Sequence, residues 1–196
     1  MTINTDVIHQ NQIDLLQQSK QLLSKCSISE SGAPLRFSVS ELNTENRKDL
    51  QNRIKDFASG IQDDLIYTVS LDDSHIVNDI QAALQSYKKQ KEHALSKVNP
   101  VTSEWRESGR VLYVGTSKAV NFATRIKNHL GVGSKGVYSL HLIHWLPSVL
   151  QSGITIRTYI IDGPQHQHSN INLLELIEQG FWDKLKPMFG KRSGLL

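Results

Sequence analysis

Apolar residues recur at helical spacing among Gln, Asn and Ser near the start of the chain. This periodicity predicts one helix over about residues 7–25 and a second from near 40 to 58, which Gly60 ends. Residues 29–34, rich in Ser and Gly, are predicted to form a break between the two helices. Residues 1–60 are therefore expected to be a helical N-terminal extension, layered apart from the rest of the chain.

Short segments rich in β-branched and aromatic residues alternate with helical segments after residue 60. Strands are predicted over residues 65–71, 110–115 and 154–161, and helices over residues 118–130 and 172–185. Residues 138–146 are apolar and fit either a strand or a helix. The alternation predicts an α/β fold of the α+β type, with a small mixed β-sheet flanked by helices, over residues 61–196.

One predicted helix lies between the first two strands. It is expected to be capped by Asp73 or Ser74, and its apolar stripe consists of Ile76, Ile80, Ala83, Leu84 and Tyr87. Together with the polar loop that follows, it forms an insertion at about residues 74–109.

Composition restricts the possible chemistry. The net charge of this 196-residue chain is only +3, so bulk charge does not indicate a nucleic-acid ligand by itself. The single cysteine, Cys26, excludes an intramolecular disulfide and a thiolate zinc site, and it is typical of a reducing compartment. Neither a signal peptide nor an apolar run of membrane-spanning length is recognisable, so a soluble, cytoplasmic protein without a membrane partner is expected. His166 and His168 are interpreted as a polar loop rather than a metal site.

Three short and widely separated segments carry residues suited to phosphodiester chemistry. They are Leu65-Ile66-Tyr67, then Leu112-Tyr113-Val114-Gly115 followed by Arg125 and His129, and finally Glu178 nine residues before Pro187. Phosphodiester hydrolysis requires an activated water, neutralisation of charge on the phosphate and stabilisation of the leaving oxygen. Tyrosine or histidine, arginine, and a carboxylate that holds a divalent cation are the residue types that meet these needs.

In this order, the three segments resemble the GIY-YIG nuclease superfamily. The resemblance implies a GIY-YIG-like fold and a site in which Tyr67, Tyr113, Arg125, His129 and Glu178 act on DNA. It also implies that Glu178 binds Mg²⁺ (or Mn²⁺), and that the products are a 5′-phosphate and a 3′-hydroxyl. The chain departs from the family pattern at Leu65 in place of glycine, at Gly190 in place of an asparagine, and in the insertion between the first two strands.

Several assignments within this set have alternatives. Tyr67 is also compatible with an ordinary half-buried strand residue. Arg125 and His129 lie four residues apart on one helix face, but His129 is equally compatible with a helix C-terminal cap. Glu175, one turn before Glu178, is the rival metal ligand. The general base is left open between the two tyrosines.

The basic residues near these segments are the candidates for contact with nucleic acid, although a solvated surface explains any one of them equally well. They are Lys118, Lys127, Lys191 and Arg192. The predicted function is a metal-dependent DNA endonuclease. The alternatives are a catalytically inactive DNA-binding module of the same fold and a small interaction protein without DNA affinity. For the N-terminal helices, packing, homodimer formation and substrate contact all remain open.

Overall fold

The structure is a computed structural model that describes residues 5–72, 77–90, 97–102, 110–163 and 172–192. The helices within these residues are α1 (Thr5–Leu23), α2 (Arg47–Ser59), α3 (Val77–Lys89), α4 (Ala119–Leu130) and α5 (Leu173–Leu185). The strands are β1 (Ser27–Glu30), β2 (Leu35–Ser38), β3 (Leu65–Leu71), β4 (Val111–Ser117) and β5 (Gly153–Asp162). The fold is thus mixed α+β, as the sequence predicts.

The strands form one antiparallel sheet around the longest strand, β5. Its order is β1-β5-β3-β4, and β2 pairs with β5 beside β1. Strand β1 covers the end of β5 near Asp162, whereas β2 covers its beginning near Gly153. The prediction of a mixed sheet is therefore wrong, because every ladder between these strands is antiparallel. Strand direction depends on which segments pair, and hydrophobic period does not reveal this.

The predicted break between the N-terminal helices is confirmed only in part, because only residues 31–34 of it lie outside helices and strands. Residues 27–30 and 35–38 are strands, and they join the same sheet as the C-terminal part of the chain. In β2 the buried Leu35 and Phe37 alternate with the exposed Arg36 and Ser38, which is the period of a strand with one face in the core. Four residues are too few for that period to stand out among Ser, Gly and Pro.

Helix α1 agrees with the prediction, but α2 begins at Arg47, about two turns after the predicted start near residue 40. Local polar bonds hold the intervening residues in turns: the Asn46 backbone N–H donates to Asn43 Oδ1, and the Ser38 N–H donates to Glu41 Oε2. Asn and Ser side chains commonly compete with helix formation in this way. The segment over residues 138–146 is neither of the predicted elements, because it contains one 3₁₀ helix, Leu142–His144, and the beginning of another, Leu146–Ser148.

Different helices pack on the two faces of the sheet. One face carries the larger core, in which Tyr67, Val69, Leu112, Ile154 and Ile156 pack with buried residues of α2, α3 and α4. The other face packs Ile66 and Val114 against Ile177 and Trp182 of α5. Of the apolar stripe predicted for the inserted helix, Ile80, Leu84 and Tyr87 are buried. Asp73, Ser74, Ile76, His166 and His168 lie outside the described residues.

Among the helices that the structure describes, none combines the length and the apolar character that crossing a bilayer would require.

Replacement of Phe37 by alanine tests whether β2 belongs to the core. Because Phe37 is fully buried, we expect Phe37→Ala to lower the free energy of unfolding by about 3–5 kcal/mol, measured by urea denaturation. Ile13 is 47% exposed on α1, so the matched variant Ile13→Ala should change stability by less than about 0.5 kcal/mol. Equal effects of the two substitutions would contradict the placement of β2.

Candidate active site

Two tyrosines and a glycine meet across the β3–β4 ladder. Tyr67 on β3 lies opposite Gly115 on β4, and Tyr113 lies two residues before Gly115 on the same face. A Cβ atom at position 115 would lie 3.1 Å from the Tyr67 hydroxyl oxygen, 3.2 Å from that of Tyr113 and 2.6 Å from a Tyr113 ring carbon. The two phenol groups therefore converge over Gly115, and only glycine leaves room for them.

His129 reaches this pair from α4. Its Nε2 shares a hydrogen bond of 2.9 Å with the Tyr67 hydroxyl, and its ring centroid lies 4.4 Å from that of Tyr113. The C-terminus of α4 is instead closed by Gly131 in the left-handed conformation. His129 is thus a member of the tyrosine cluster, and the alternative of a helix C-terminal cap is not what the structure shows.

Burial keeps the His129 ring uncharged. Desolvation, together with the positive charge of Arg125, lowers the pKa of His129 to about 3. Its Nδ1 atom is buried, and no hydrogen-bond partner for it is present among the described residues. An unpaired buried acceptor is tolerated better than an unpaired buried N–H. This favours the tautomer in which Nε2 carries the proton, so that the Nε2–H group donates the hydrogen bond to the Tyr67 hydroxyl oxygen.

Arg125 lies one turn before His129 and borders the cluster on the solvent side. Its side chain is exposed, and Nη1 donates a hydrogen bond of 2.7 Å to the carbonyl oxygen of Thr116 at the end of β4. Burial raises the pKa of Tyr67 well above its usual value, and the neighbouring Tyr113 raises it further. The charge and hydrogen bond of Arg125 oppose this rise. Burial likewise raises the pKa of Tyr113, again against the effect of Arg125. Both phenols are therefore neutral at pH 7.

Glu178 approaches from the opposite face of the sheet, on α5. Thr116 Oγ1 donates to Glu178 Oε2 at 3.3 Å, so Thr116 contacts both Arg125 and Glu178. Burial raises the pKa of the Glu178 carboxyl, the contacts with Thr116 and the charge of Arg125 lower it, and nearby Glu175 raises it. The pKa remains above the usual value. A cation beside Glu178 would favour its charged form.

Glu175 has a separate structural role at the start of α5. Asn172 is the N-cap, and its Oδ1 accepts the Glu175 backbone N–H, while Glu175 Oε2 accepts from Asn172 Nδ2, both at 3.2 Å. This pair of bonds caps the start of α5, although the Glu175 carboxylate accepts from the Asn172 side chain and not from the backbone N–H that a capping box uses. Glu178, by contrast, is bound to Thr116, the residue that also accepts a hydrogen bond from Arg125. The geometry therefore favours Glu178 over Glu175 as the site carboxylate.

A groove of about 380 Å³ adjoins Arg125 and Thr116, and it is lined by Asp64, Thr116, Lys118, Asn121, Arg125 and Asn172. Of the basic residues predicted to contact nucleic acid, Lys118 shares this groove with Arg125. Lys127 is two residues beyond Arg125 on α4 and projects from another side of the helix. Lys191 is exposed near the C-terminus, and Arg192 forms a two-point ion pair with Asp183 at 2.8 Å, which engages its guanidinium.

Two residues shape this geometry in ways that the sequence does not indicate. Thr116 follows Gly115 directly, but its position between Arg125 and Glu178 depends on the ladder and on α5. Gly190 adopts a φ of +118°, and a Cβ atom there would lie 2.9 Å from the Trp182 ring and 3.2 Å from the Tyr113 ring. The departure at Gly190 is therefore sterically required in this chain, because a larger side chain would displace Tyr113 or Trp182.

The donor set at Glu178 is small. Among the described residues, no cluster of three or more His, Cys, Asp or Glu side chains is arranged to hold a metal ion. Mg²⁺ typically uses one or two protein carboxylates and completes its shell with waters and substrate phosphates. A partly buried carboxylate beside a groove fits that mode, whereas it does not fit a closed structural metal site.

No protein-family model, curated protein or solved structure matches the chain. The assignment of a function therefore depends on the arrangement of these side chains.

Substitution of Gly115 by alanine tests the close approach of the two phenols. We expect Gly115→Ala to lower the free energy of unfolding by about 1–3 kcal/mol, because the new methyl group overlaps both tyrosine side chains. Thermal unfolding measures the effect. At Gly180 on α5, a Cβ atom would meet no other atom within 4 Å, so Gly180→Ala should instead stabilise the protein by about 0.5–1 kcal/mol. A neutral Gly115→Ala would show that the rings do not cover this position.

The pKa of His129 predicts a pH dependence of stability. The unfolded chain binds a proton on His129 near pH 6.5, whereas the folded protein does not until about pH 3. The contribution of the His129 titration to the free energy of unfolding is therefore fully present above pH 6.5. As the pH falls from 6.5 towards 3, the free energy of unfolding decreases by about 1.4 kcal/mol per pH unit.

Urea unfolding at a series of pH values below 6.5 measures this slope. His129→Gln removes the titration and should make the decline in stability with falling pH shallower, by about 1.4 kcal/mol per unit. His9→Gln, at an exposed histidine of α1, serves as the control and should keep the wild-type slope. If His129→Gln keeps it too, folding does not lower the pKa of His129.

Proposed function

We propose that this protein is a divalent-metal-dependent endonuclease that hydrolyses phosphodiester bonds in DNA through a GIY-YIG-type site. The observation that carries the proposal is the convergence of Tyr67, Tyr113, Arg125 and Glu178 at one end of the β3–β4 ladder. These residues come from two strands and two helices and are separated by up to 111 positions in the chain (178 minus 67). Chance resemblance of short segments does not require such proximity.

The arrangement of elements supports the proposed family type. Tyr67 lies on β3, which is flanked by β4 and β5, and the Tyr113-Val114-Gly115 segment lies on the neighbouring antiparallel strand β4. Helix α4, which carries Arg125, follows β4 directly. We propose on this basis that the fold is GIY-YIG-like, with β1, β2 and α3 as additions.

Arg125 is the proposed electrostatic group. Its guanidinium is exposed at the groove and remains positively charged at all relevant pH values. The hydrogen bond from Nη1 to the Thr116 carbonyl uses one of its five N–H groups, which leaves other donors for a phosphate. A planar guanidinium can stabilise the charge that develops on the equatorial phosphate oxygens.

The tyrosines are the proposed groups that orient and deprotonate the attacking water. Tyr67 is fully buried, whereas Tyr113 is partly exposed, so Tyr113 is the phenol closer to substrate. His129, neutral and bound to the Tyr67 hydroxyl, positions Tyr67 in the cluster. Because the pKa of both phenols is raised, either can act as a base only when added positive charge at the groove favours the phenolate.

Glu178 is the proposed ligand of the divalent cation, Mg²⁺ or Mn²⁺. The cation supplies charge neutralisation at the scissile phosphate and at the leaving oxygen. Its positive charge also favours the ionised form of Glu178 against the effect of burial.

A non-catalytic DNA-binding module of the same fold is the second candidate. The observation in its favour is that both phenols are held neutral, with Tyr67 wholly inaccessible. Such a module would bind DNA through Arg125 and Lys118 without cutting it.

Cleavage of supercoiled plasmid distinguishes these functions. We expect nicking and linearisation with Mg²⁺ or Mn²⁺, none with EDTA, and a loss of at least a hundredfold in rate for Glu178→Gln, on the order of what one removed transition-state interaction costs. Glu175→Gln, one turn away on the same helix, is the matched control and should retain most of the activity. Equal losses for both variants would contradict the assignment of Glu178. Binding of DNA without cutting by the wild type would favour the second candidate.

A further inference from the structure

A second basic pocket lies on the sheet face that carries α5, beyond the C-terminal end of that helix. It has a volume of about 580 Å³, and Leu185, the last residue of α5, forms part of its wall. Arg36, Arg110 and Arg157 line it, from β2, from the residue before β4, and from β5. None of these arginines belongs to the candidate active site. We call this the arginine pocket.

Strand register explains why the arginines meet there. Arg36 lies opposite Thr155, and Thr155 lies opposite Ser70, so these three residues form one row across β2, β5 and β3. The next row on the same face contains Arg157 and Thr68. Cross-strand pairing therefore places two arginines beside a floor of hydroxyl groups.

The composition of this face changes sharply along each strand. On β3 the apolar Ile66, which α5 covers, is followed on the same face by Thr68 and Ser70. On the antiparallel strand β5, Tyr159 lies beneath α5, and Arg157 and Thr155, which precede it in the chain, continue the same face. An antiparallel sheet commonly presents polar side chains to water on the part of a face that no helix covers. The hydroxyl and guanidinium groups on this part are also suited to a polar ligand.

The charges in the pocket are only partly balanced. Arg157 Nη1 pairs with Glu30 Oε1 at 2.6 Å, and the Asp72 carboxylate accepts from the Thr155 hydroxyl. Arg110 donates to the Asp72 carbonyl at 3.2 Å, which uses one of its five N–H groups. Within the described parts of the chain, no carboxylate forms an ion pair with Arg36 or Arg110, and both are exposed. Two guanidinium groups are thus available to an anion.

The arginine pocket and the candidate active site are joined by α5. Leu185 is seven residues beyond Glu178, which corresponds to about 10 Å along the helix axis. A DNA strand advances about 3.4 Å per nucleotide along the duplex axis. Glu178 and the pocket wall at Leu185 are therefore separated along α5 by a distance that about three nucleotides span.

We propose that the arginine pocket binds a backbone phosphate of duplex DNA a few nucleotides from the bond that is cut. Arg36 and Arg110 supply the N–H donors, and the neighbouring hydroxyl groups of Ser70 and Thr155 line the floor. This inference rests on the proposed function for the identity of the ligand as DNA. It assigns the pocket to binding and register rather than to chemistry, because it contains none of the groups that act at Glu178.

The salt dependence of DNA binding tests the inference. Binding of a fluorescein-labelled duplex to the full chain is followed by anisotropy in EDTA, over a series of salt concentrations. The pocket is assigned one phosphate, and each lost phosphate contact should reduce the slope of log K against log salt by about 0.9, so Arg36→Gln/Arg110→Gln should reduce it by about 0.9. Arg36→Gln alone should reduce the slope in the same direction, by no more than this amount.

A matched control removes the same charge elsewhere. Lys48 and Lys55 are exposed on α2, which covers the other face of the sheet, so Lys48→Gln/Lys55→Gln should leave the slope at the wild-type value. If the arginine variant and the lysine control have equal slopes, the inference is overturned. Thermal unfolding of each variant verifies that folding is retained, and the single variant provides the test if the double variant does not fold.

Plasmid cutting by the same proteins separates this inference from the proposed function. A wild type that binds DNA through the arginines but does not cut would support the pocket and overturn the nuclease activity. If the wild type cuts DNA and the salt slope of binding does not change in the arginine variants, the nuclease activity is supported and the assignment of the arginine pocket is overturned. Stabilisation of the wild type, but not the double variant, by inorganic phosphate, with an unchanged DNA slope, would identify a small-anion site and overturn the assignment to DNA.

Discussion

The register between β3 and β4 is the constraint on which the candidate site depends. Tyr67 can lie opposite position 115 only because that position is glycine, since a Cβ atom there would overlap the Tyr113 ring. A shift of one residue would turn Tyr67 to the other face of the sheet, towards Trp182 and α5, and would separate it from His129. Small size at Gly115 is thus what permits two aromatic side chains and an imidazole to share one buried cluster.

Burial and charge act against each other throughout this cluster. Desolvation raises the pKa of Tyr67, Tyr113 and Glu178 and lowers that of His129, so each of these groups is driven towards its neutral form. Arg125 is the permanent positive charge that opposes the effect on all three acids. Burial therefore disfavours ionisation of the three acids, and additional positive charge at the groove would favour their ionised forms. This is the electrostatic basis of the proposed dependence on a divalent cation.

The sequence by itself located most of the helices and strands, but it did not determine how the strands pair. The helical period located α1, α4 and α5, and the β-branched segments located β3, β4 and β5, because these elements are long enough for their periods to be recognised. The four-residue strands β1 and β2 are too short for this, and they form only because β5 provides a partner more than one hundred residues later. Antiparallel direction, and the inclusion of the N-terminal segment in the sheet, depended on that long-range pairing.

For the candidate site, the sequence alone identified the residue types, and the four-residue spacing of Arg125 and His129 placed both on one helical face. Tertiary structure decided their surroundings: the hydrogen bond between His129 and Tyr67, and the contact of Thr116 with Glu178 while Glu175 bonds to Asn172, the N-cap of α5. It also brought together the three arginines of the second pocket, which are spread over 121 positions of the chain (157 minus 36). Local patterns encode a face and a period, whereas contacts between strands and helices distant in the chain depend on packing of the whole domain.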